Sequence, residues 1–452
     1  MTNPLFYKLR LTVDGRLSKL DSVRRMQWLP PDAVEELQKD LLARLLQHAH
    51  THVPYYHRVL ELAGVVAGGG QVDVARFDRV PLLEKKLIRE HFDDLSSDDL
   101  ARRKWGYSFS GGSTGEPIRI IHDARDDWSR AMIILFDEWS GRRLGEKQIG
   151  LWGARRDLQN HGGSVRARFR QRLRNQVWLD AFAMTPDAMR EYVEVINRYE
   201  PKRILAYAGS LYELARFIER EGLSVYSPVG IMTSADTLQP AKRATIERVF
   251  RAPVYNRYGS REVATVASEC DHHEGLHVAV PTHFLEILRP DGRPTEPGET
   301  GEIVVSCLTM LAMPLIRYRI GDLAAWAEHP CSCGRFWPLL SEVSGRVSDS
   351  FALPGGGTII GGFFTSPFWG LDWVDRFQVV QESLELLRIL IVPFGELPPR
   401  QQVEADLREI DHKARSVLGD NVEIVHEFVK EIEVSTTGKL RHTISKVSSP
   451  EL

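Results

Sequence analysis

Between residues 119 and 260, short apolar runs take turns with amphipathic stretches. "IRIIHD", "QIGLWG", "RILAYAG", "PVGIMTSAD" and "APVYNRYGS" read as strands. "ARDDWSRAMIILFDEWSGRRLG", "PDAMREYVEVINRYE", "SLYELARFIEREG" and "QPAKRATIERVF" read as helices between them. Strands separated by helices of this length form βαβ units, which predicts an α/β fold built on a mainly parallel sheet. One helix is expected over residues 31–65. After about residue 275 short strands with Gly/Pro turns predict a β-rich, more antiparallel segment. "GRVSDSFALPGGGTI" reads as a boundary, followed by a strand–strand–helix–strand unit. The expectation is a large N-terminal body over residues 1–348 and a small α+β C-terminal domain over 349–452. The length of 452 residues also exceeds what one core serves.

Composition removes several function classes. A net charge of -3 gives no electrostatic footprint for nucleic acid. No apolar run reaches the roughly 18 to 20 residues of a membrane span. The N-terminus, "MTNPLFYKLRLTVDGRL", lacks the apolar core of a secretory signal, and four Cys suit a reducing compartment, so the expected location is cytoplasmic.

Candidate chemistry sits in five places. "SGGSTGEP" (residues 110–117) lacks the Lys of a Walker loop but could form a nest of N–H donors for phosphate. A flexible turn is the alternative. In "NRYGSREVA", Tyr258 could stack on a flat base, Gly259 would allow close approach, and Glu262 could hold a hard cation. In "LIRYRIGDLAAW", the Asp322 carboxylate suits two ribose hydroxyls, or equally an ion pair with Arg317 or Arg319. Arg346 in "SGRVSDS" and Lys439 in "STTGKLRHTISK" are cations in Gly-adjacent loops that could meet phosphate.

Taken in order, these stretches resemble the adenylate-forming superfamily of acyl-CoA ligases, over about residues 30 to 447. "HVPYYH" and "GKLRHTISKV" are most similar to the phenylacetate–CoA ligase family, in its branch associated with capsular polysaccharide clusters. The resemblance implies an AMP-forming acid–thiol ligase that uses ATP, Mg²⁺ and coenzyme A. It places the ATP β- and γ-phosphates on Ser110, Gly111, Gly112, Ser113, Thr114 and Gly115. Adenine falls to Tyr258 and Gly259, with Ser260 and Ser234 adjoining, Mg²⁺ to Glu262, and the ribose to Asp322 with Arg346 nearby. Asp349 falls at the hinge, and Lys439 is the mobile catalytic Lys. Catalysis would rest on Lys439 and Glu262. The acid pocket falls around Trp152, Arg155, Arg156, Tyr207 and Ser234. Asp236 stands where Glu is expected, and "PGGGTIIGGFFTSPFWG" departs from the usual ligase pattern, which opens the acceptor to an amine or a carrier protein. A non-catalytic nucleotide-binding homologue is the reading from another class, against which the retained Lys439, Glu262 and Asp322 count.

"SECDHHEGLH" and "PCSCGR" carry donors for a tetrahedral Cys₃His site: Cys270, His277, Cys331 and Cys333, with His272 the alternative fourth ligand. Four protein ligands would make such a Zn²⁺ structural, as in some members of the resembled family. Cys307 reads as a core residue, and the aromatic run at 363–373 as packing.

Overall fold

The computed structural model describes residues 17–67, 70–109, 118–124, 126–152, 174–181, 183–235, 238–346, 350–354, 358–360, 364, 366–368, 371, 373–433 and 442–447. Its helices are α1 (Leu20–Met26), α2 (Pro31–His52), α3 (Pro54–Leu62), α4 (Lys85–Glu90), α5 (Asp127–Trp139), α6 (Pro186–Tyr199), α7 (Ala208–Arg220), α8 (Pro240–Phe250) and α9 (Arg400–Leu418). The strands of the body are β1 (Trp105–Phe109), β2 (Arg119–Asp123), β3 (Gln148–Trp152), β4 (Gln176–Asp180), β5 (Arg203–Tyr207), β6 (Gly230–Ser234), β7 (Val254–Ser260), β8 (Ala264–Glu269), β9 (Leu276–Val278), β10 (His283–Leu288), β11 (Thr300–Cys307), β12 (Tyr318–Trp326) and β13 (Leu339–Arg346).

Strands β4, β3, β5, β6 and β7 pair in that order and are all parallel. Helices α6, α7 and α8 make the crossovers between successive strands. Their sequences explain them: α7 buries Leu211, Leu214, Ala215 and Ile218, one face at helical spacing. Thr185 caps α6 by accepting a hydrogen bond from the Ala188 amide at 3.3 Å, and Pro186 occupies its first turn. The fully buried strand β6, "GIMTS", has no polar alternation because helices cover both faces of the parallel half.

At β7 the sheet changes character. β8 joins antiparallel, and β9, β13, β12, β11 and β10 continue the same eleven-stranded sheet. The β-rich segment after residue 275 therefore extends the sheet of the body, making it mixed. The single helix expected over 31–65 is two helices. Pro54 has no N–H to continue α2, and Val53 before it is extended at φ -123° and ψ 106°. Strands β1 and β2 pair with each other as a separate antiparallel hairpin.

Beyond the body come β14 (Ser350–Ala352), β15 (Thr358–Ile360), β16 (Val374–Gln381), β17 (Leu386–Pro393), β18 (Glu423–Phe428) and β19 (Thr443–Ser445). A four-stranded sheet in the order β18-β17-β16-β19 and helix α9 enclose a core of their own, including Phe377, Leu387, Ile389 and Ile410. Phe364, Phe368 and Trp373 from the aromatic run are buried there, with the Phe368 and Phe377 rings stacked at 4.1 Å. The small domain meets the body where Asp375 lies 3.7 Å from Lys242 and Phe394 packs on Tyr212. Among the described residues no helix is long and apolar enough to cross a membrane.

Candidate functional site

The curvature of the mixed sheet brings Tyr258, at the end of β7, to Asp322 on β12, although four strand pairings separate them. The Tyr258 hydroxyl donates to Asp322 Oδ2 at 2.7 Å. Arg317, one of the two ion-pair partners considered for Asp322, is bound to Glu286, and the other, Arg319, to Glu302 and Glu84. The backbone of Arg346 on β13 is in register with Asp322. The Tyr258 ring and the Asp322 carboxylate thus meet, with the backbone of β13 alongside.

The turn after β7 holds Glu262, buried at 3% exposure. Ser260 Oγ accepts from the Glu262 and Val263 amides at 3.1 and 3.4 Å, fixing the turn locally. The carbonyls on either side of Glu262 are also held. His122 Nε2, on β2, donates to the Arg261 carbonyl at 3.1 Å, and Ser108 Oγ approaches that oxygen from β1 at 3.5 Å. His283 Nε2 donates to the Val263 carbonyl at 2.6 Å while its Nδ1 accepts from the Thr282 hydroxyl at 2.9 Å. Burial lowers the basicity of both imidazoles, taking His283 down to about 4, so each stays neutral and keeps one donor nitrogen. A cavity of about 170 Å³ lies behind the turn, lined among others by His122, Asp126, Thr282, His283 and Thr309. Gly259 has a packing role. A Cβ there would strike the Ala264 carbonyl, where β7 and β8 slip register.

Trp152, Tyr207 and Ser234 end β3, β5 and β6, at the carboxyl edge where α/β sheets bind ligands. Tyr207 and Ser234 are in register, and the Trp152 and Tyr207 rings lie 4.3 Å apart.

At the opposite edge of the sheet, Cys270, His277, Cys331 and Cys333 bring their ligand atoms within 4.8 Å of one another. Cys270 and Cys331 sulfurs are 3.7 Å apart, and Cys333 Sγ is 3.4 Å from His277 Nε2. His277 Nδ1 faces the Trp337 carbonyl at 3.4 Å, which leaves the Nε2 lone pair pointing at the sulfurs. Burial pushes the Cys270 and Cys331 thiols up and His277 down to about 4. His272, the alternative ligand, instead contacts Ser332 Oγ at 2.7 Å. Three thiols and an imidazole, soft donors around one point, fit a tetrahedral Zn²⁺. Cys307 is a buried core residue.

Residues 351–446 match the model of the CapK C-terminal domain. Protein CapK of Staphylococcus aureus is 23% identical over 417 residues, covering 91% of this chain and 89% of that one. Phenylacetate-coenzyme A ligase of Thermus thermophilus is 29% identical over 350 residues, 73% of this chain and 74% of the other. The chain is thus similar over most of its length to CapK and to phenylacetate–CoA ligases, proteins of the adenylate-forming kind that the sequence resembles. Among solved structures, 2-hydroxyisobutyryl-CoA ligase in its postadenylation state, in complex with R3-HIB-AMP, superposes with a TM-score of 0.70 at 20% identity. That match covers 94% of this chain and 92% of the other and extends through the small domain.

Part of the site expected from the resemblance lies outside the described residues: Ser110, Gly111, Gly112, Ser113, Thr114, Gly115, Arg155, Arg156, Asp236, Asp349 and Lys439. The described part, Tyr258, Gly259, Ser260, Glu262 and Asp322, is gathered around one strand end, with Ser234 at the end of the adjacent strand β6. Sequence reasoning missed His122 and His283. For His122 the available signal was its place in "IRIIHD", directly after the Gly-rich loop. For His283, at the start of an ordinary strand, there was none.

Proposed function

We propose that this chain activates a carboxylic acid as an acyl-adenylate, releasing pyrophosphate, and passes the acyl group to the thiol of coenzyme A. The observation that carries this reading is the convergence of Tyr258, Asp322 and the rigidly held Glu262 at the end of β7. Tyr258 faces adenine, and Asp322 exchanges the Tyr258 hydroxyl for, or shares its carboxylate with, the ribose hydroxyls. Residues 110–115 receive the β- and γ-phosphates. Arg346, paired through its backbone with Asp322, is the further cation for the nucleotide. Glu262 would hold Mg²⁺, which supplies charge neutralisation for the triphosphate.

In the first half-reaction a carboxylate oxygen attacks the α-phosphorus, and the bond to the pyrophosphate oxygen breaks. Two anions approach each other, so a cation close to the forming bond lowers the barrier. Lys439 takes that role. In the second half-reaction the thiolate attacks the acyl carbon and AMP leaves. The small domain from residue 349 carries Lys439 and would move between the two steps, as lids that complete a site do. Trp152, Tyr207 and Ser234 line the acid pocket. Zn²⁺ on Cys270, His277, Cys331 and Cys333 has no open position and is structural.

ATP–pyrophosphate exchange with aryl, fatty, hydroxy and amino acids tests the reading. Exchange with one acid class is expected, and Lys439→Ala should abolish it while ATP still binds. Undiminished exchange in Lys439→Ala, or none with any acid when ATP binding is intact, overturns it.

A further inference from the structure

Helix α2 ends in "QHAHTH" and α3 begins "PYYHRVLEL", so the 16 residues from Gln47 to Leu62 carry four histidines around a proline junction. Two groups form. In the first, His48, His52 and Asp99 are close, but Arg103 and Ser97 occupy the Asp99 carboxylate, and His52 bonds Asp98. The second, His50, His57 and Glu61, is arranged differently.

His57 and Glu61 stand one turn apart on α3, and His50 comes from the last turn of α2. Glu61 Oε1 is 3.2 Å from His50 Nε2 and 3.7 Å from His57 Nε2. Three donors on one metal with bonds of ~2.1 Å sit ~3.4 Å apart in a tetrahedron, so these spacings already approach those of a chelate. His57 Nδ1 donates to the His50 carbonyl at 2.9 Å. That bond fixes the tautomer in which Nε2 carries the lone pair, the arrangement that metal-binding histidines adopt through a carbonyl partner. The two rings stack at 4.5 Å with 23° between their planes, and both Nε2 atoms face the same carboxylate oxygen. The helices beneath are anchored: Tyr56 and Leu60 of α3 and Ala49 of α2 are buried. His57 and Glu61 are about half exposed, at 54% and 55%, which leaves room for water to complete the coordination.

We propose that His50, His57 and Glu61 form a second metal site, for an exchangeable divalent transition ion of the Zn²⁺, Co²⁺ or Ni²⁺ type. Two imidazoles and one carboxylate favour such ions over Mg²⁺ or Ca²⁺, which take oxygen donors. The site differs from the cysteine cluster in having open positions, and the ion clips the end of α2 to α3 across the Val53–Pro54 junction.

Co²⁺ distinguishes the two sites, because thiolate ligands give charge-transfer absorption and a histidine–carboxylate set gives only weak d–d bands. The full-length protein is titrated with Co²⁺ and followed by absorption and calorimetry. One equivalent free of thiolate charge transfer is expected, alongside whatever the cysteines bind. Removing partners that merely support a metal ligand costs 10–100-fold in affinity, so His57→Ala, which removes a ligand, should weaken this equivalent by about 100-fold or more. Glu61→Gln, which keeps the shape and one neutral oxygen, should weaken it by roughly tenfold. Both residues are exposed, and unchanged melting of the metal-free variants would show that the fold is intact. Absence of a thiolate-free equivalent, or one bound equally well by both variants, overturns the proposal.

Discussion

His277 and His283 are both buried, and burial takes both down to about 4. They nevertheless do different work at opposite edges of one sheet. His277 turns Nδ1 to the Trp337 carbonyl and leaves Nε2 aimed at Cys333. His283 turns Nε2 to the Val263 carbonyl, and the Thr282 hydroxyl covers Nδ1. With its second nitrogen left open an imidazole is a ligand. With that nitrogen covered it is a strut for backbone. The neighbour of the second nitrogen, rather than burial or basicity, separates the two regions.

Breaking the ligand region should have the largest effect. Cys331→Ser, or removal of Zn²⁺ by a chelator, is expected to destabilise the body by about 5 kcal/mol in denaturant unfolding. This is part of the roughly 10–16 kcal/mol that zinc contributes in small finger peptides, since the strand pairing around the cluster persists here. No change on chelation would remove the structural role. In the strut region, Glu262→Gln should lower adenylation by about 10³-fold, near 4 kcal/mol, with the melting temperature unmoved. A matching loss of stability would make Glu262 a folding residue.

The strut itself is tested by acid. An unfolded imidazole binds its proton near 6.5, whereas His283 in the fold does so near 4. Between those values the unfolded chain holds the extra proton, so stability falls as pH drops, by about 1.4 kcal/mol per unit and about 3 kcal/mol in all. His283→Gln keeps a donor for Val263 and should reduce the slope of the stability–pH curve in that window by about 1.4 kcal/mol per unit, leaving the share of His277; an unaltered slope would contradict it. The smallest change is expected at Asp322. Asp322→Asn should raise the KM for ATP roughly tenfold, about 1.4 kcal/mol, with little effect on kcat. An equal fall in kcat would place Asp322 in the chemistry instead.

The parallel half was legible because βαβ alternation leaves few folds open, and the cysteine cluster because thiol chemistry narrows the partners. Pro54 was readable as a breaker, yet the helical periodicity on both sides of it concealed the junction. The destiny of Asp322 was not legible: the two nearby arginines were equally good partners until Glu286, Glu302 and Glu84 claimed them. The meeting of Tyr258 with Asp322 depends on how far the sheet curls over four pairings, which no local pattern encodes. His283 was hidden for the same reason, its partner being the carbonyl of a turn twenty residues away.

The Arg261 carbonyl, approached from both strands of the β1–β2 hairpin, has a kinetic consequence. Strands β1 and β2 and the turn that presents Glu262 are joined into one stiff body before any ligand arrives. The ordering entropy of that junction is then settled during folding, and association need not wait on it. On the proposed function, nucleotide capture at this end of the molecule should accordingly follow a single fast exponential.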